Sequence, residues 1–263
     1  MILVTGPRGF VGHKIMDIRD DVIGSPSLRG ATEDDIKRIV EESGADVVIH
    51  TAAISDVAAC AADPDAAYYA NVLIPVYLAR AAKNIKLVCF SSDQVYVASI
   101  QGGPYTEEMA EPGNVYGRQK LEMERRVLDI APDSVMLRAE WMYDHGSERP
   151  NFFMNMINAT EPVSFSSRNY RGLTYLKEVT ENMDRVIGLP GGIYNFGSET
   201  NKSMYELAIG LLKATGRDLE VFDCPPLHNL WMNCGKARKY GVKFSSVEDG
   251  LARCVNDYHN REL

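Results

Sequence analysis

The sequence predicts a doubly wound α/β domain followed by a smaller α/β lobe, and three observations lead to this fold class. Short apolar runs such as MILVT, ADVVIHTAA and IKLVCFSS alternate with segments of helical period in the first half of the chain. The runs are apolar on both faces, as parallel strands are when helices cover both sides of their sheet. A glycine-rich turn directly follows the first run, where a strand would pass into a helix.

The elements of the first half follow one another as strands and helices in turn. Thr32 has the character of a helix cap, acidic residues follow it, and Gly44 is a stop signal, so residues 32–44 are expected to be helical. Residues 63–83 form a long helical pattern containing Pro75, which predicts a kink or a turn. The predicted strands are 1–5, 21–24, 45–53, 85–92 and 134–141, and the other predicted helices are 11–19 and a run beginning near residue 115.

The pattern changes after about Tyr143, where shorter helices and proline-containing loops replace the regular alternation. No repeat or low-complexity linker separates the two parts, so we expect a main domain at 1–142 and a smaller lobe at 143–263, some segments of which return to the main domain. A ligand usually lies in the cleft between two such lobes. Helices are predicted at 150–158, 175–188, 203–216 and 246–259, and a strand at 191–197.

Composition and charge argue against several classes of protein. The chain has 263 residues and a net charge of −8 with acids and bases interspersed, which disfavours nucleic acid or an anionic membrane as the main partner. It has no apolar stretch long enough to span a membrane, and its first residues lack the features of a signal peptide. Five cysteines without a C-x-x-C pair indicate reduced thiols, and five scattered histidines indicate no catalytic metal. We therefore expect a cytoplasmic protein.

The glycine-rich turn has two interpretations. Gly6, Gly9 and Gly12 form G-x-x-G-x-x-G directly after the first predicted strand. Glycines at this place permit a tight turn and a close approach of the backbone to a diphosphate, which the N-terminus of the next helix also attracts. The alternative is an ordinary glycine-rich turn between a strand and a helix. The position after the first strand of the chain favours a dinucleotide cofactor.

A tyrosine and a lysine four residues apart suggest proton transfer. Tyr116 and Lys120 stand at the start of a helical run, where this spacing places both on one face. Such a pair also arises by chance in a chain with this many tyrosines and lysines, so the pair alone decides nothing. Ser91 and Ser92 end the fourth predicted strand, at the edge of the sheet that faces the ligand cleft. A serine that only caps a turn is the alternative there.

Three of these segments together resemble the extended short-chain dehydrogenases/reductases. They are TGPRGFVG, FSSDQVY and NVYGRQKLEME, and among these enzymes they are most similar to the dTDP-4-dehydrorhamnose reductase family, which acts on nucleotide sugars. The later segments LRAEWMY, NFFMNM, RNYRGLTYLKEV, GGIYNFG and SSVEDGL resemble that family in the same order. The resemblance covers nearly the whole chain. It implies a Rossmann-type fold and the NAD(P)H-dependent reduction of a 4-keto nucleotide sugar.

The resemblance also implies roles for individual residues. Tyr116 would be the general acid, Lys120 would lower the pKa of that phenol and bind the nicotinamide ribose, and Ser92 would orient the substrate carbonyl. The cofactor-binding residues that it implies are Gly6, Arg8, Gly9, Phe10, Val11, Gly12, Arg29, Ala52, Ala53, Tyr116 and Lys120. The substrate-binding residues are expected to be Asp93, Gln94, Trp141, Arg168 and Arg171.

The cofactor is expected to be NADP(H) rather than NAD(H). An NAD site usually has an Asp or Glu at the end of the second strand, where it binds the ribose hydroxyls. No acid occurs between Ser25 and Gly30. Arg8 and Arg29 are expected to face a 2′-phosphate instead, and the alternative is that both arginines are merely exposed.

Several residues differ from the pattern of the family. Gln94, Glu140 and Ala61 stand where the family usually has an aromatic residue, a serine and an acid, and the proline before Thr174 is missing. Glu140 would either lie near the nicotinamide or the sugar, or pair with a nearby arginine. These differences surround the expected substrate contacts and leave open which sugar binds.

Two other functions fit the same sequence. One is a nucleotide-sugar epimerase or dehydratase, which keeps a tightly held NAD and turns it over internally. The other is a non-catalytic NADP-binding regulatory subunit resembling that of methionine adenosyltransferase, which acts through a partner protein. The joint presence of Ser92, Tyr116 and Lys120 favours an enzyme. A homodimer is compatible with all three functions.

Overall fold

A computed structural model of the chain describes residues 1–100, 102–147 and 149–260. The strands are β1 (Ile2–Thr5), β2 (Val22–Gly24), β3 (Val47–His50), β4 (Lys86–Ser92), β5 (Val135–Ala139), β6 (Trp141–Tyr143), β7 (Val163–Phe165), β8 (Leu173–Tyr175), β9 (Gly192–Phe196) and β10 (Val221–Asp223). The helices are α1 (Phe10–Ile18), α2 (Glu33–Ser43), α3 (Val57–Ala62), α4 (Pro64–Tyr68), α5 (Ile74–Ala81), α6 (Val115–Ile130), α7 (Phe152–Asn158), α8 (Leu176–Glu181), α9 (Met183–Ile187), α10 (Met204–Ala214), α11 (Gly235–Lys239) and α12 (Val247–His259).

A parallel sheet organises the described part of the chain. Its six strands are ordered β2-β1-β3-β4-β5-β9, and every neighbouring pair is parallel. The order reverses at β1, so the connections leaving β1 and β3 diverge and open a crevice beyond the carboxyl ends of these strands. The predicted fold class, a doubly wound α/β sheet of the Rossmann type, is confirmed.

Helices bury both faces of this sheet, as the two-sided apolar strands predict. Leu3 and Val4 are neighbours in β1, yet their side chains belong to separate hydrophobic clusters because successive residues of a strand point to opposite faces. The cluster of Leu3 includes buried residues of α2, α5 and α6. The cluster of Val4 includes buried residues of α1, α8, α9 and α11.

The second part of the chain builds its own core and also contributes to the main sheet. The aromatic side chains of Tyr143, Phe153 and Tyr175 pack with α10 and α12 into a separate hydrophobic cluster. Two short parallel sheets, β10-β7 and β6-β8, accompany it. Between β8 and α10 the chain returns to the main sheet, where β9 pairs with β5 at the edge. The division into 1–142 and 143–263 stays a prediction.

Two of the predicted helical patterns are each divided into two helices in the structure. The pattern at 63–83 forms α4 and α5 with a π-helical segment, Tyr69–Leu73, between them. Pro75 lies in the first turn of α5, because it has no N–H to donate to the preceding turn. The pattern at 175–188 forms α8 and α9, which meet at Asn182. The Asn182 amide donates to the Lys243 carbonyl at 2.8 Å and so ties the break to the loop before α12.

A buried ion pair joins β4, β5 and α6 beneath the crevice. The guanidinium of Arg138 in β5 forms two hydrogen bonds with the Glu124 carboxylate in α6, at 2.9 and 2.7 Å, and the two side chains are 1% and 0% exposed. Ser91 in β4 donates to the same carboxylate. Arg138 also donates to the Tyr96 hydroxyl at 2.7 Å, and that hydroxyl donates to Asn195 of β9 at 2.7 Å. One cation thus connects three strands and a helix.

Replacing Glu124 with alanine should strongly destabilise the fold, because Arg138 would remain buried without its counter-charge. We expect a loss of roughly 3–5 kcal/mol in the free energy of unfolding. Glu122 on the same helix provides the control, since its ion pair with Arg126 is exposed and Glu122→Ala should cost at most about 1 kcal/mol. Urea unfolding of both variants measures the difference. Equal losses of unfolding free energy in the two variants would mean that the buried ion pair stabilises the fold no more than the exposed one.

Candidate active site

The turn between β1 and α1 contains glycines at positions where a side chain would meet neighbouring backbone atoms. Gly6 has a φ of +70°, and a Cβ on it would lie 3.0 Å from the backbone of Ala52 at the end of β3. A Cβ on Gly12 would overlap the carbonyl oxygen of Gly6, so the third glycine lets α1 pack against the turn. Gly9 is the N-cap of α1 and leaves the first N–H groups of that helix without a side-chain partner. These N–H groups can receive an anion.

Two cavities meet along this turn. The first, the tyrosine cavity, has a volume of about 800 Å³ and contains Tyr116, Lys120 and Ser92 in its wall. The second, the arginine cavity, has a volume of about 700 Å³ and contains Arg8 and Arg29. The residues that line both are Gly6, Gly9, Ala52, Ala53 and Arg149. Their size and connection suit a dinucleotide bound across the crevice.

Tyr116, Lys120 and Ser92 are brought together at the carboxyl end of β4. Asn114 caps α6 by accepting from the Gly117 N–H at 2.7 Å, which places Tyr116 in the first turn of the helix. The Lys120 Nζ atom lies 5.8 Å from the centre of the Tyr116 ring and donates to the Phe90 carbonyl at 2.8 Å.

Burial sets the protonation of these groups. It raises the pKa of Tyr116 above its usual value, the hydrogen bond with Ser92 opposes this shift, and the charge of Asp93 adds to it. Burial also lowers the pKa of Lys120 to about 8. The expected lowering of the Tyr116 pKa by Lys120 is therefore not seen, because desolvation of the phenol outweighs the lysine, whose Nζ bonds to a backbone carbonyl. The Tyr116 phenol therefore keeps its proton at neutral pH.

An ion pair and an aromatic ring form the other end of the tyrosine cavity. Arg171 donates to Asp93 at 2.6 Å, and its guanidinium lies 5.0 Å from the centre of the Trp141 ring. Trp141 is 36% exposed and packs edge-on against Phe152. Gln94 accepts from the Asn114 amide at 2.9 Å, which links it to the cap of α6. Four of the five residues expected to contact substrate thus line one cavity.

The structure places the remaining expected residues as follows. Phe10 and Val11 line the tyrosine cavity, and Gly12 lies beneath the turn. Arg168 lines neither cavity. It is exposed in a loop whose Ser167 backbone and hydroxyl both donate to Asp223, and this pairing holds the loop at β10 instead of at the crevice. The structure therefore does not bring Arg168 together with Arg171.

Sequence reasoning missed Arg149, which lines both cavities. It stands in the loop before α7, where the residues PNFFMNM were interpreted only as a helix. No pattern near Arg149 in the sequence indicated this position, because the contact with the turn is long-range.

Glu140 occupies a closed position in the wall of the tyrosine cavity. It is 6% exposed, Thr174 donates to its Oε2 at 3.2 Å, and its buried Oε1 has no hydrogen-bond partner in the described part of the chain. A Cβ on Gly172 or Gly197 would overlap its carboxyl group, so two glycines make the space that it fills. Burial and the nearby charge of Asp93 raise its pKa well above the usual value. Of the two positions expected for it, the one near the ligand cavity is observed.

Glu140→Gln should change how stability depends on pH. The pKa of Glu140 is higher in the folded than in the unfolded chain. As pH rises above the pKa that Glu140 has in the unfolded chain, the native protein therefore loses stability, by up to about 1.4 kcal/mol per pH unit. An amide does not titrate. The variant should therefore gain stability relative to the native protein between about pH 5 and about pH 8. Urea unfolding across that range measures this, with Glu122→Gln as the exposed control. Parallel curves for native and Glu140→Gln would contradict the assignment.

The described residues contain neither a metal-binding cluster nor a membrane-spanning helix. No group of three or more His, Cys, Asp or Glu side chains there could hold a metal ion. Nor is any helix in that part of the chain long and apolar enough to cross a membrane.

Comparison with known proteins gives consistent matches over most of the chain. The probable low-salt glycan biosynthesis reductase Agl14 of Haloferax volcanii is 32% identical over an alignment 275 positions long. The alignment covers 94% of this chain and 91% of that protein. The dTDP-4-dehydrorhamnose reductase of Mycolicibacterium smegmatis is 27% identical, and the alignment covers 83% of this chain and 70% of that protein. The crystal structure of the dTDP-4-dehydrorhamnose reductase of Bacillus anthracis in complex with NADP superposes with a TM-score of 0.86 at 20% identity. That superposition covers 97% of this chain and 98% of that one and shows the shared fold.

The family itself is identified by its own sequence model, which describes the RmlD substrate binding domain and matches residues 1–226. The matched range includes the glycine turn, both cavities and the tyrosine–lysine pair. The chain belongs to the RmlD substrate binding domain family of extended short-chain dehydrogenases/reductases.

Proposed function

We propose that this protein is an NADP(H)-dependent oxidoreductase that reduces the keto group of a 4-keto nucleotide sugar. The observation on which the proposal rests is the convergence of Tyr116, Lys120 and Ser92 in one cavity that continues into the glycine turn. The names of the Mycolicibacterium and Haloferax relatives, both reductases, support it.

The residues present fit the dinucleotide that the family implies. The glycine turn removes side chains from the path of a diphosphate, and the open N-terminus of α1 offers N–H donors to it. Gly6, Gly9, Phe10, Val11, Ala52 and Ala53 would form the walls around the cofactor. When bound, the reduced cofactor would supply a hydride to the keto carbon.

Tyr116 would then act as general acid. Reduction of a ketone builds negative charge on its oxygen, and a proton must reach that oxygen as the charge develops. The protonated phenol of Tyr116 would donate it, and the Ser92 hydroxyl would donate a hydrogen bond that orients the same oxygen. Lys120, buried and cationic, would bind the ribose hydroxyls of the cofactor and stabilise the phenolate left after transfer.

The substrate would lie over the other end of the tyrosine cavity. The exposed part of the Trp141 ring offers a surface for a sugar or a base, and Asp93 and Gln94 offer polar groups. Because Arg168 lies outside the cavity, we assign the contact with the sugar-nucleotide diphosphate to Arg171. The cytoplasmic location and the homodimer stay predictions.

NADP(H) is the preferred cofactor in this proposal. The lining of the arginine cavity includes the segment Ser25–Gly30, which follows β2, and no acid among its described residues. Arg8 and Arg29 are both exposed to this cavity. A 2′-phosphate would meet positive charge there, and no carboxylate in this wall is placed to bind free ribose hydroxyls.

Tyr116→Phe should abolish reduction while cofactor binding persists. The variant loses the proton donor but keeps the ring, and general acid catalysis of this type is worth roughly 10²–10⁴-fold in rate. Lys120→Ala should reduce both turnover and cofactor affinity, and Ser92→Ala should slow turnover by a smaller factor. NADPH oxidation with a panel of 4-keto nucleotide sugars measures the rates. Tyr240→Phe, at a ring that is 53% exposed and lines neither cavity, is the matched control.

The same assay separates this function from its two alternatives. A regulatory subunit would bind NADPH, oxidise none with any sugar and be indifferent to Tyr116→Phe. An epimerase or dehydratase would carry bound NAD after purification and convert a nucleotide sugar without added cofactor. Either result would overturn the proposed reductase.

Arg29→Ala should weaken NADPH binding and leave NADH binding unchanged. Loss of a charged hydrogen bond to the 2′-phosphate is worth about 1.5–3 kcal/mol, or roughly tenfold or more in the dissociation constant. Titration calorimetry with both cofactors gives the two constants. The native protein should prefer NADPH, and tighter binding of NADH would refute the preference.

A further inference from the structure

A loop from the second part of the chain reaches back to the glycine turn. It connects β6 to α7, and in it Arg149 donates from Nη2 to the carbonyl oxygen of Arg8 at 3.0 Å. Arg8 stands inside the turn, between Gly6 and Gly9. The side chain of Arg149 therefore contacts the turn that opens the crevice to a dinucleotide.

Buried contacts fix this loop at both ends. At its start, Asp144 forms an ion pair with Lys14 of α1 at 3.0 Å, and the two side chains are 5% and 10% exposed. At its end, the amide of Asn151, which is 1% exposed, donates to the carbonyls of Asp144 and Arg149, both at 3.1 Å. The backbone of Arg149 is thus held by a buried amide, while its side chain is exposed at the crevice.

The charge of Arg149 is available to a ligand. Its guanidinium forms no ion pair with any carboxylate of the described residues, and the hydrogen bond to the Arg8 carbonyl uses one of its five N–H groups. A carbonyl oxygen is a weaker partner than an anion for a guanidinium. An oxyanion entering the crevice could therefore replace it.

The position of Arg149 between the two cavities indicates which anion it would bind. Arg149 lines both the tyrosine and the arginine cavity, as do Gly6 and Gly9. A dinucleotide with its nicotinamide in the first cavity and its adenosine in the second must pass its diphosphate through this shared stretch. The N-terminus of α1 and the side chain of Arg149 would both lie beside the diphosphate there.

We propose that Arg149 is a cofactor-binding residue whose guanidinium binds the diphosphate of the dinucleotide beside the glycine turn, where the two cavities meet. The inference rests on the proposed function, since it takes a dinucleotide as the ligand. A guanidinium can bind two phosphate oxygens at once, and it brings a contact from the second part of the chain to a ligand held by the first. Residues of both parts of the chain would then contact the cofactor.

The diphosphate of a nucleotide sugar offers the same chemistry, and cofactor affinities distinguish the two sources. Arg149→Ala should weaken NADPH and NADH by the same factor, on the order of tenfold, because both carry the diphosphate. Arg29→Ala should weaken NADPH alone. Arg149→Lys keeps the positive charge but loses the paired N–H donors of the guanidinium. Its affinity for both cofactors should lie between those of the native protein and of Arg149→Ala. Arg125→Ala, at an exposed residue of α6 that lines neither cavity, should change nothing.

Titration calorimetry of the native protein and these variants with NADPH, NADH and dTDP gives the constants without any assay of turnover. Unchanged binding of both dinucleotides by Arg149→Ala would overturn the inference while the proposed function stands. Weaker dTDP binding with unchanged NADPH would also overturn it and assign Arg149 to the substrate. A native protein that binds neither dinucleotide would overturn the proposed function itself.

Discussion

The ion pair between Arg138 and Glu124 is the interaction on which the geometry of the site depends. Two charges removed from water are tolerated only when they are paired and fully hydrogen-bonded, and here Ser91 and Tyr96 complete the shell. Glu124 lies one helical turn beyond Lys120, and Ser91 directly precedes Ser92. Fixing the pair therefore fixes α6 against β4, and with them the distance between the lysine, the phenol and the serine hydroxyl. The site stands on a buried electrostatic contact that itself touches no ligand.

The crevice above this contact changes its charge from one end to the other. Around the glycine turn the exposed side chains are arginines and the helix N-terminus adds partial positive charge, as the phosphates of a dinucleotide require. At the far end, Asp93 and Glu140 bring carboxyl groups close together, and only Asp93 has Arg171 as a partner. Burial and the charge of Asp93 raise the pKa of Glu140 and favour its neutral form, the hydrogen bond from Thr174 opposes this shift, and the glycines at 172 and 197 leave the space that its carboxyl group fills.

Several features of this protein could be predicted from short-range sequence patterns. The caps at Thr32 and Asn114, the two-sided apolar strands and the glycine turn depend on residues a few positions apart, and the structure has each of them. The spacing of Tyr116 and Lys120 likewise places both on one helical face. An irregularity of the long helix near Pro75 was predictable, because the missing N–H is a property of that residue, although the irregular segment lies just before it, at Tyr69–Leu73. Its form, a π-helical segment, was not, since packing of α4 and α5 against α6 decides it.

Only the tertiary structure decided which distant residues meet. Nothing near Arg149 in the sequence indicates the glycine turn, which is some 140 residues away, yet the Lys14–Asp144 pair and the Asn151 amide bring them into contact. Arg168 and Arg171 are neighbours in sequence, but the pairing of β7 with β10 and of the adjoining loop with Asp223 takes one of them away from the crevice. The sequence by itself determined the fold class, because it follows from local periodicity, and the resemblance of its motifs to a known family indicated the candidate reacting groups. The walls of the crevice depend on long-range packing and on the cost of burying charge, which no local pattern encodes.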